Sequence, residues 1–266
     1  MNEKDKQYKM ISNNNKLWLK TMGVNYYFSK VDTEQDQDNI TNASDNNQQI
    51  LPSVQIDTKQ EDCNSGVKLA RNIADKVNTI EDLENSVRNF DECKLKLLSS
   101  NTVFSSGAKD AQIMLIGEAP GASEDEQGIP FCGESGKLLD NMLSAINLSR
   151  ESNVYITNTV FWRPPANRRP TDDEISLCRP FVEKHIALIN PKLLILVGST
   201  ACTSLLGKDY VISKVRGKYL AYSNQYLNHA VTTTAIFHPA YLLRQPMNKK
   251  NSWIDLLKIQ RNSLCN

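Results

Sequence analysis

Four short apolar runs, each followed by a loop and mostly by an amphipathic stretch, constrain this chain more than any other feature. They occupy residues 111–117 (AQIMLIG), 154–160 (VYITNTV), 192–198 (KLLILVG) and 230–237 (AVTTTAIF). A run that is apolar throughout suits a strand buried on both faces, and alternation with helices requires crossover connections between parallel strands. The expected fold is α/β, a three-layer α/β/α sandwich around a central four-stranded, mainly parallel sheet. Residues 136–146 place Leu138, Leu139, Met142, Leu143 and Ile146 on one helical face, a stripe best explained as core. Thr171 followed by Glu174 is a capping box that opens a helix through Cys178, Val182 and Ile186. Ser199 reads as the cap of ACTSLLG, and a last helix holds Trp253, Leu256, Leu257 and Ile259.

The rest of the chain is less regular. Hydrophobic residues make up 40% of 266, against about 45–50% in ordinary globular chains. The shortfall concentrates in residues 31–65, crowded with Asp, Asn, Gln and Ser, which read as a disordered polar linker. Before it, residues 1–30 carry an apolar, partly helical patch (Leu17, Trp18, Leu19, Met22, Val24, Tyr26, Tyr27, Phe28) that offers a docking element for the domain or for a partner protein. Residues 66–98 form a helical lead-in, and 99–266 the main domain. A net charge of +1 is too balanced for a polybasic binder, so any grip on nucleic acid must be local. No run reaches the length of a membrane span and the polar start lacks a signal sequence, which makes a cytoplasmic protein without membrane contact the expectation. The six cysteines include no C-x-x-C pair, so free thiols are the default.

In parallel sheets ligands bind beyond the carboxyl ends of the strands. Here the first run leads into Gly117-Glu118-Ala119-Pro120-Gly121 and on to Phe131, the second ends at Asn158 and continues into Phe161-Trp162-Arg163-Pro164-Pro165, and the fourth leads into His238-Pro239-Ala240-Tyr241-Leu242-Leu243-Arg244. An amide can pair with the edge of a planar heterocycle while a phenylalanine stacks on its face. A histidine can stabilise negative charge on a leaving base, and a carboxylate can orient water or a sugar cation. Each residue also has a plainer reading. Glu118 suits a solvated turn, Asn158 a loop cap, Phe131 and Trp162 core, His238 a satisfied structural histidine, and Arg163, Arg168 and Arg169 ordinary surface charge.

Taken together, GEAPGASEDEQGIPFCGESGKLLD, YITNTVFWRPPANRRPTDDE and HPAYLLR, with NPKLLILVGSTACTSLLG between the last two, resemble the successive motifs of the family 4 uracil-DNA glycosylases over about residues 93–258. The resemblance implies hydrolysis of the N-glycosidic bond of uracil in DNA, leaving an abasic site, by a monofunctional enzyme acting as a monomer. It implies that Gly117, Glu118 and Ala119 line the uracil and water region, Phe131 stacks on uracil, Asn158 reads its edge and His238 contacts the oxygen that gains charge. Glu118, Asn158 and His238 are then catalytic. Arg163, Arg168, Arg169 and Arg244 contact DNA, with Leu242 or Leu243 filling the vacated stack. A rival reading is a degenerate member that binds DNA or a repair partner without excising bases, and another is that the linker and N-terminal patch dock a replication or repair protein in addition to catalysis.

Two departures stand out. The family typically holds a [4Fe-4S] cluster on four cysteines, and the corresponding positions here are Phe90, Cys93, Trp162 and Cys178. Two remnant thiols where four are needed lead to the expectation of no metal cofactor, an aromatic plug taking the cluster's place. A cluster would need other ligands, Cys63 being one candidate, to substitute for Phe90 and Trp162. Ala240 stands where the family commonly has serine, losing a hydroxyl that can meet phosphate.

Overall fold

The computed structural model describes residues 53–54 and 65–264, all within one unit, Pro52–Asn266. The apolar patch at residues 17–28 and Cys63 lie outside the described residues.

The four runs become four parallel strands. β3 (Ile113–Gly117) lies between β4 (Val154–Asn158) and β5 (Leu193–Val197), and β5 pairs on its other side with β7 (Val231–Ile236). β3, β4 and β5 are buried at every residue, as strands covered on both faces must be. The sheet is nevertheless larger than four strands. Its order is β1-β6-β7-β5-β3-β4-β2, where β1 is Ser53–Val54, β2 is Ser106–Gly107 and β6 is Leu220–Tyr222. β2 runs antiparallel to β4 and β6 antiparallel to β7, so the central parallel sheet is extended at both edges. These additions are two or three residues long, too short for any periodicity to announce them. One of them also lies where the sequence reads otherwise, since Ser53–Val54 falls in the expected linker yet pairs with β6.

Helices cover both faces. α1 (Ser65–Lys76) and α2 (Ile80–Arg88) pack on α6 (Asp172–Ile189), which makes the lead-in part of the domain rather than an appendage. α3 (Leu95–Leu98) follows them, ahead of β2. Met114, Ile116, Leu194 and Leu196 share one core cluster with Phe181, Val182 and Ile186 of α6 and with Ala201 and Leu205 of α7 (Ser199–Leu206). Leu115 and Ile195, one residue out of phase, are buried outside that cluster. The period of two thus supplies both layers. The opposite layer holds α4 (Ala122–Gln127), α5 (Glu134–Ser144), α9 (Pro239–Arg244) and α10 (Lys249–Leu264), with α9 and α10 both packed on α5 and α10 on β7. The short α8 (Ile212–Val215) packs on β7.

Local signals behave unevenly. The Thr171 hydroxyl accepts from the Glu174 amide at 3.2 Å and the Glu174 carboxylate from the Thr171 amide at 2.8 Å, a complete capping box. Ser199, by contrast, is not a cap. Gly198 occupies that position at φ +95°, where a Cβ would lie 2.9 Å from the Cβ of His238. Close approach of the histidine, not hydrogen-bonding chemistry, sets the start of α7.

Candidate active site

The chain leaves β3 towards β4 on one side and leaves β5 towards β6 and β7 on the other, so the connections diverge between β3 and β5 and a crevice opens at their carboxyl ends. A cleft of about 950 Å³ fills that place. Glu118, Ala119, Phe131, Asn158, His238, Arg168 and Arg244 all line it. Gly117 does not itself line the cleft but lies against two residues that do, since a Cβ there would meet Asn158 Oδ1 at 2.5 Å and the Phe131 ring at 2.5–2.6 Å. Only glycine allows the ring and the amide to converge there.

Asn158, the last residue of β4, is 1% exposed, and its Oδ1 has no hydrogen-bond partner among the described residues. A buried polar atom left unpaired costs roughly 1–3 kcal/mol. A fold tolerates that cost where a ligand restores the bond, and uracil N3–H has the matching donor. This distinguishes Asn158 from a loop cap.

His238 is the N-cap of α9, and its Nδ1 accepts from the Ala240 amide at 3.1 Å. The proton of the neutral ring therefore sits on Nε2, a donor. Burial, reinforced by the Arg244 charge, pushes the His238 pKa down to about 4, so the ring is neutral at physiological pH. The contact from Ala240 is made by the backbone, so alanine in place of serine leaves it intact. Phe131 lies 5.5 Å from the imidazole, centroid to centroid. Its backbone is left-handed at φ +54°, a conformation costing a bulky residue about 1–2 kcal/mol.

Glu118 is fixed at both ends. Its carboxylate accepts from the Thr200 hydroxyl at the start of α7, and its carbonyl from Thr159 Oγ1 at 2.6 Å. Neither threonine stands out in the sequence, being separated from Glu118 by 82 and 41 residues. Glu124 is a second omission. Its carboxylate accepts from the amides of Gly121, Cys132 and Gly133 at 2.9–3.0 Å, tying the turn that carries Phe131 to the start of α4. Its place three residues after Gly121, at the third position of a helix, is the signal that would have found it.

The rim residues divide. Leu242 is 0% exposed and belongs to the core, whereas Leu243 is 46% exposed. Neighbouring helical residues point about 100° apart, so burying one against α5 turns the other to solvent. Leu242 is therefore no wedge. Arg168 makes a two-pronged contact with Glu174 at 2.6 and 2.9 Å, Arg169 donates to Thr203 at 3.2 Å and Arg163 to Asn167 at 2.7 Å. Of the four arginines, Arg244 is exposed without a partner among the described residues.

The positions matched to the cluster ligands lie in the core. Phe90, Cys93, Trp162 and Cys178 are each at most 2% exposed. Phe90 meets Phe181 edge to face at 5.0 Å, Trp162 meets Phe161 likewise at 6.0 Å, and the indole nitrogen donates to Thr102 at 3.0 Å. The Cys93 thiol beside it and complete burial push the Cys178 thiol well up, so it stays protonated. Two thiols hydrogen-bonded to each other and two packed rings do not fit an iron–sulfur cluster, and among the described residues no group of three or more His, Cys, Asp or Glu is placed to hold a metal. Trp162 is thus core, as its plainer reading had it. No helix among the described residues is long and apolar enough to cross a membrane.

Comparison with known proteins bears directly on this cleft. The uracil DNA glycosylase superfamily model matches residues 104–257, the span from β2 through most of α10. The chain is 36% identical over 188 residues to the type-4 uracil-DNA glycosylase of Sulfurisphaera tokodaii, covering 69% of this chain and 84% of that one. It is 38% identical to the type-4 enzyme of Saccharolobus solfataricus over 67% and 83% of the two chains, and 35% identical to that of Archaeoglobus fulgidus over 68% and 92%. With the strand ends, the cleft and the matched span coinciding, the chain belongs to the uracil-DNA glycosylase superfamily, in its type-4 branch.

Proposed function

We infer that the cleft is where this chain excises uracil from DNA, hydrolysing the N-glycosidic bond and leaving an abasic site. The observation that carries the reading is the unpaired Oδ1 of buried Asn158, on a cleft that the Phe131 ring also lines. Uracil N3–H donates to that oxygen, the amide nitrogen donates to O4, and the ring stacks on Phe131. Neutral His238 donates from Nε2 to the O2 oxygen, where charge develops as the base leaves. A donor already in place needs no reorganisation during the reaction. Glu118, held by Thr200, orients the attacking water and faces the sugar as it becomes cationic. Flipping the base out costs a few kcal/mol, about 3 or so, offset by these contacts. Leu243 fills the vacated stack and Arg244 meets phosphate. The exposed pairs holding Arg163, Arg168 and Arg169 are weak, about 1 kcal/mol or less, so phosphate can displace them.

For the core beside α6, we propose that packed aromatic rings organise the fold where a cluster would otherwise do so, and that no cluster is bound. Incubation with single- and double-stranded oligonucleotides containing uracil, followed by alkali, tests the activity. Strand scission at uracil is expected. Binding without scission would instead favour a catalytically degenerate DNA-binding protein.

A further inference from the structure

Four consecutive backbone groups around the stacking ring are gripped by two side chains of opposite charge. Arg150, in the loop between α5 and β4, donates from Nη1 to the Pro130 carbonyl at 3.0 Å and from Nη2 to the Phe131 carbonyl at 2.9 Å. On the following residues, Glu124 accepts from the amides of Cys132 at 3.0 Å and Gly133 at 2.9 Å. Asp140 of α5 aims the guanidinium through Nε at 2.9 Å. Gly136 of α5 completes the seat, since a Cβ there would lie 1.8 Å from the Phe131 carbonyl oxygen. Each charge takes the backbone groups of opposite polarity, so carbonyls of 130 and 131 face one way and amides of 132 and 133 the other. That peptide arrangement is the one that accompanies the left-handed Phe131 at φ +54°.

We propose that Arg150 and Glu124 are positioning residues that hold the Phe131 ring in register for the flipped base. The proposal rests on the reading that Phe131 stacks on uracil. Arg150 lies outside the cleft lining and Glu124 within it, and both hold the backbone of the turn. A planar fork that reaches two carbonyls at once is specific to arginine, because lysine offers a point charge.

The test measures kcat, KM and inhibition by free uracil on a uracil-containing single strand, together with binding of an abasic oligonucleotide, which presents no base. Arg150→Gln should lower kcat/KM by roughly tenfold to a hundredfold, the scale of a misplacement of about 1 Å. Inhibition by free uracil should weaken in step, abasic-strand binding should hold, and Arg150→Lys should resemble Arg150→Gln. Within a Phe131→Leu background, Arg150→Gln should add less than about twofold, since residues acting as one unit are not additive. Losses that multiply, or uracil inhibition unchanged in Arg150→Gln, overturn the proposal. Should that variant not fold, Asp140→Asn and Glu124→Gln carry the same test, and wild-type uracil inhibition in both overturns it. If Phe131→Leu itself leaves uracil inhibition intact, the stacking role fails and the clamp loses its object. A weakened Phe131→Leu beside an unchanged Arg150→Gln overturns the clamp alone.

Discussion

The cleft and the aromatic core beside α6 are both assembled from segments far apart in sequence, yet they are built on opposite terms. The cleft keeps an unpaired amide oxygen at Asn158, a left-handed phenylalanine and a histidine whose pKa is depressed to about 4. The first two features cost stability in the free protein, and the third does so only as pH falls below about 6.5. Around Phe90, Cys93, Trp162 and Cys178 the terms are reversed: rings meet edge to face, the indole nitrogen has its acceptor and the thiols pair with each other. The aromatic region also leaves His185 Nδ1 without a partner among the described residues, but the Asn158 oxygen and the Phe131 ring lie on a cleft that a ligand can enter, while the other region contributes volume and cohesion. Where a local rule is broken therefore says more about function than which residues are merely buried.

That contrast can be broken by exchanging the kind of damage done. Trp162→Ala should destabilise the fold by about 3–5 kcal/mol, the cost of emptying a large aromatic site. Excision per folded molecule should change little, as read from urea unfolding beside active-site-normalised rates. Asn158→Ala should do the reverse, lowering kcat/KM by roughly a hundredfold to a thousandfold, the scale for a lost transition-state contact. Its unfolding midpoint should stay near that of the parent, because the lost oxygen bonds to nothing in the free protein.

One histidine in each region, His185 buried and His238 partly so, sharpens the comparison through pH. Burial alone pushes His185 down to about 3, its Nε2 meeting the Tyr155 hydroxyl at 2.8 Å and its ring stacked on Phe104 at 4.4 Å. His238 sits at about 4. Below its unfolded pKa of about 6.5, each binds more protons when unfolded than when folded, so the stability that the neutral form supplies above that pH is lost as pH falls towards the folded value. Each should cost about 2 kcal/mol at pH 5. His185→Phe should remove its share of the difference between unfolding at pH 7 and pH 5, and an unchanged difference would place the acid sensitivity elsewhere. The smallest effect is expected at the rim. Arg244→Ala should weaken DNA binding uniformly across sequences and reduce the salt slope by about one, while leaving inhibition by free uracil at the parent level.

Much of this was legible in advance. Continuous apolar runs determined the parallel core, since only strands covered on both faces call for them, and the family resemblance put Gly117, Glu118, Phe131, Asn158 and His238 at one crevice. The capping box at Thr171 was complete in itself because both of its bonds are local. Ser199 failed as a cap because the packing of His238 against Gly198 is a contact between the starts of two helices that no local pattern records. β1, β2 and β6 are short edge strands defined by their partners rather than by their own side chains.

The side chains that aim the site were the least visible. Arg150 reaches carbonyls 19 and 20 residues back, and Thr200 reaches Glu118 across 82. Which leucine of the pair 242–243 faces solvent was settled by the docking of α9 on α5. The amino-acid sequence by itself determined the strands, their carboxyl-end loops and the chemistry those loops carry, because periodicity and residue type are local properties. Only the tertiary structure decided which oxygen lacks a partner, which ring is strained and which charges hold it there, because burial and distance belong to pairs of residues the chain brings together from afar.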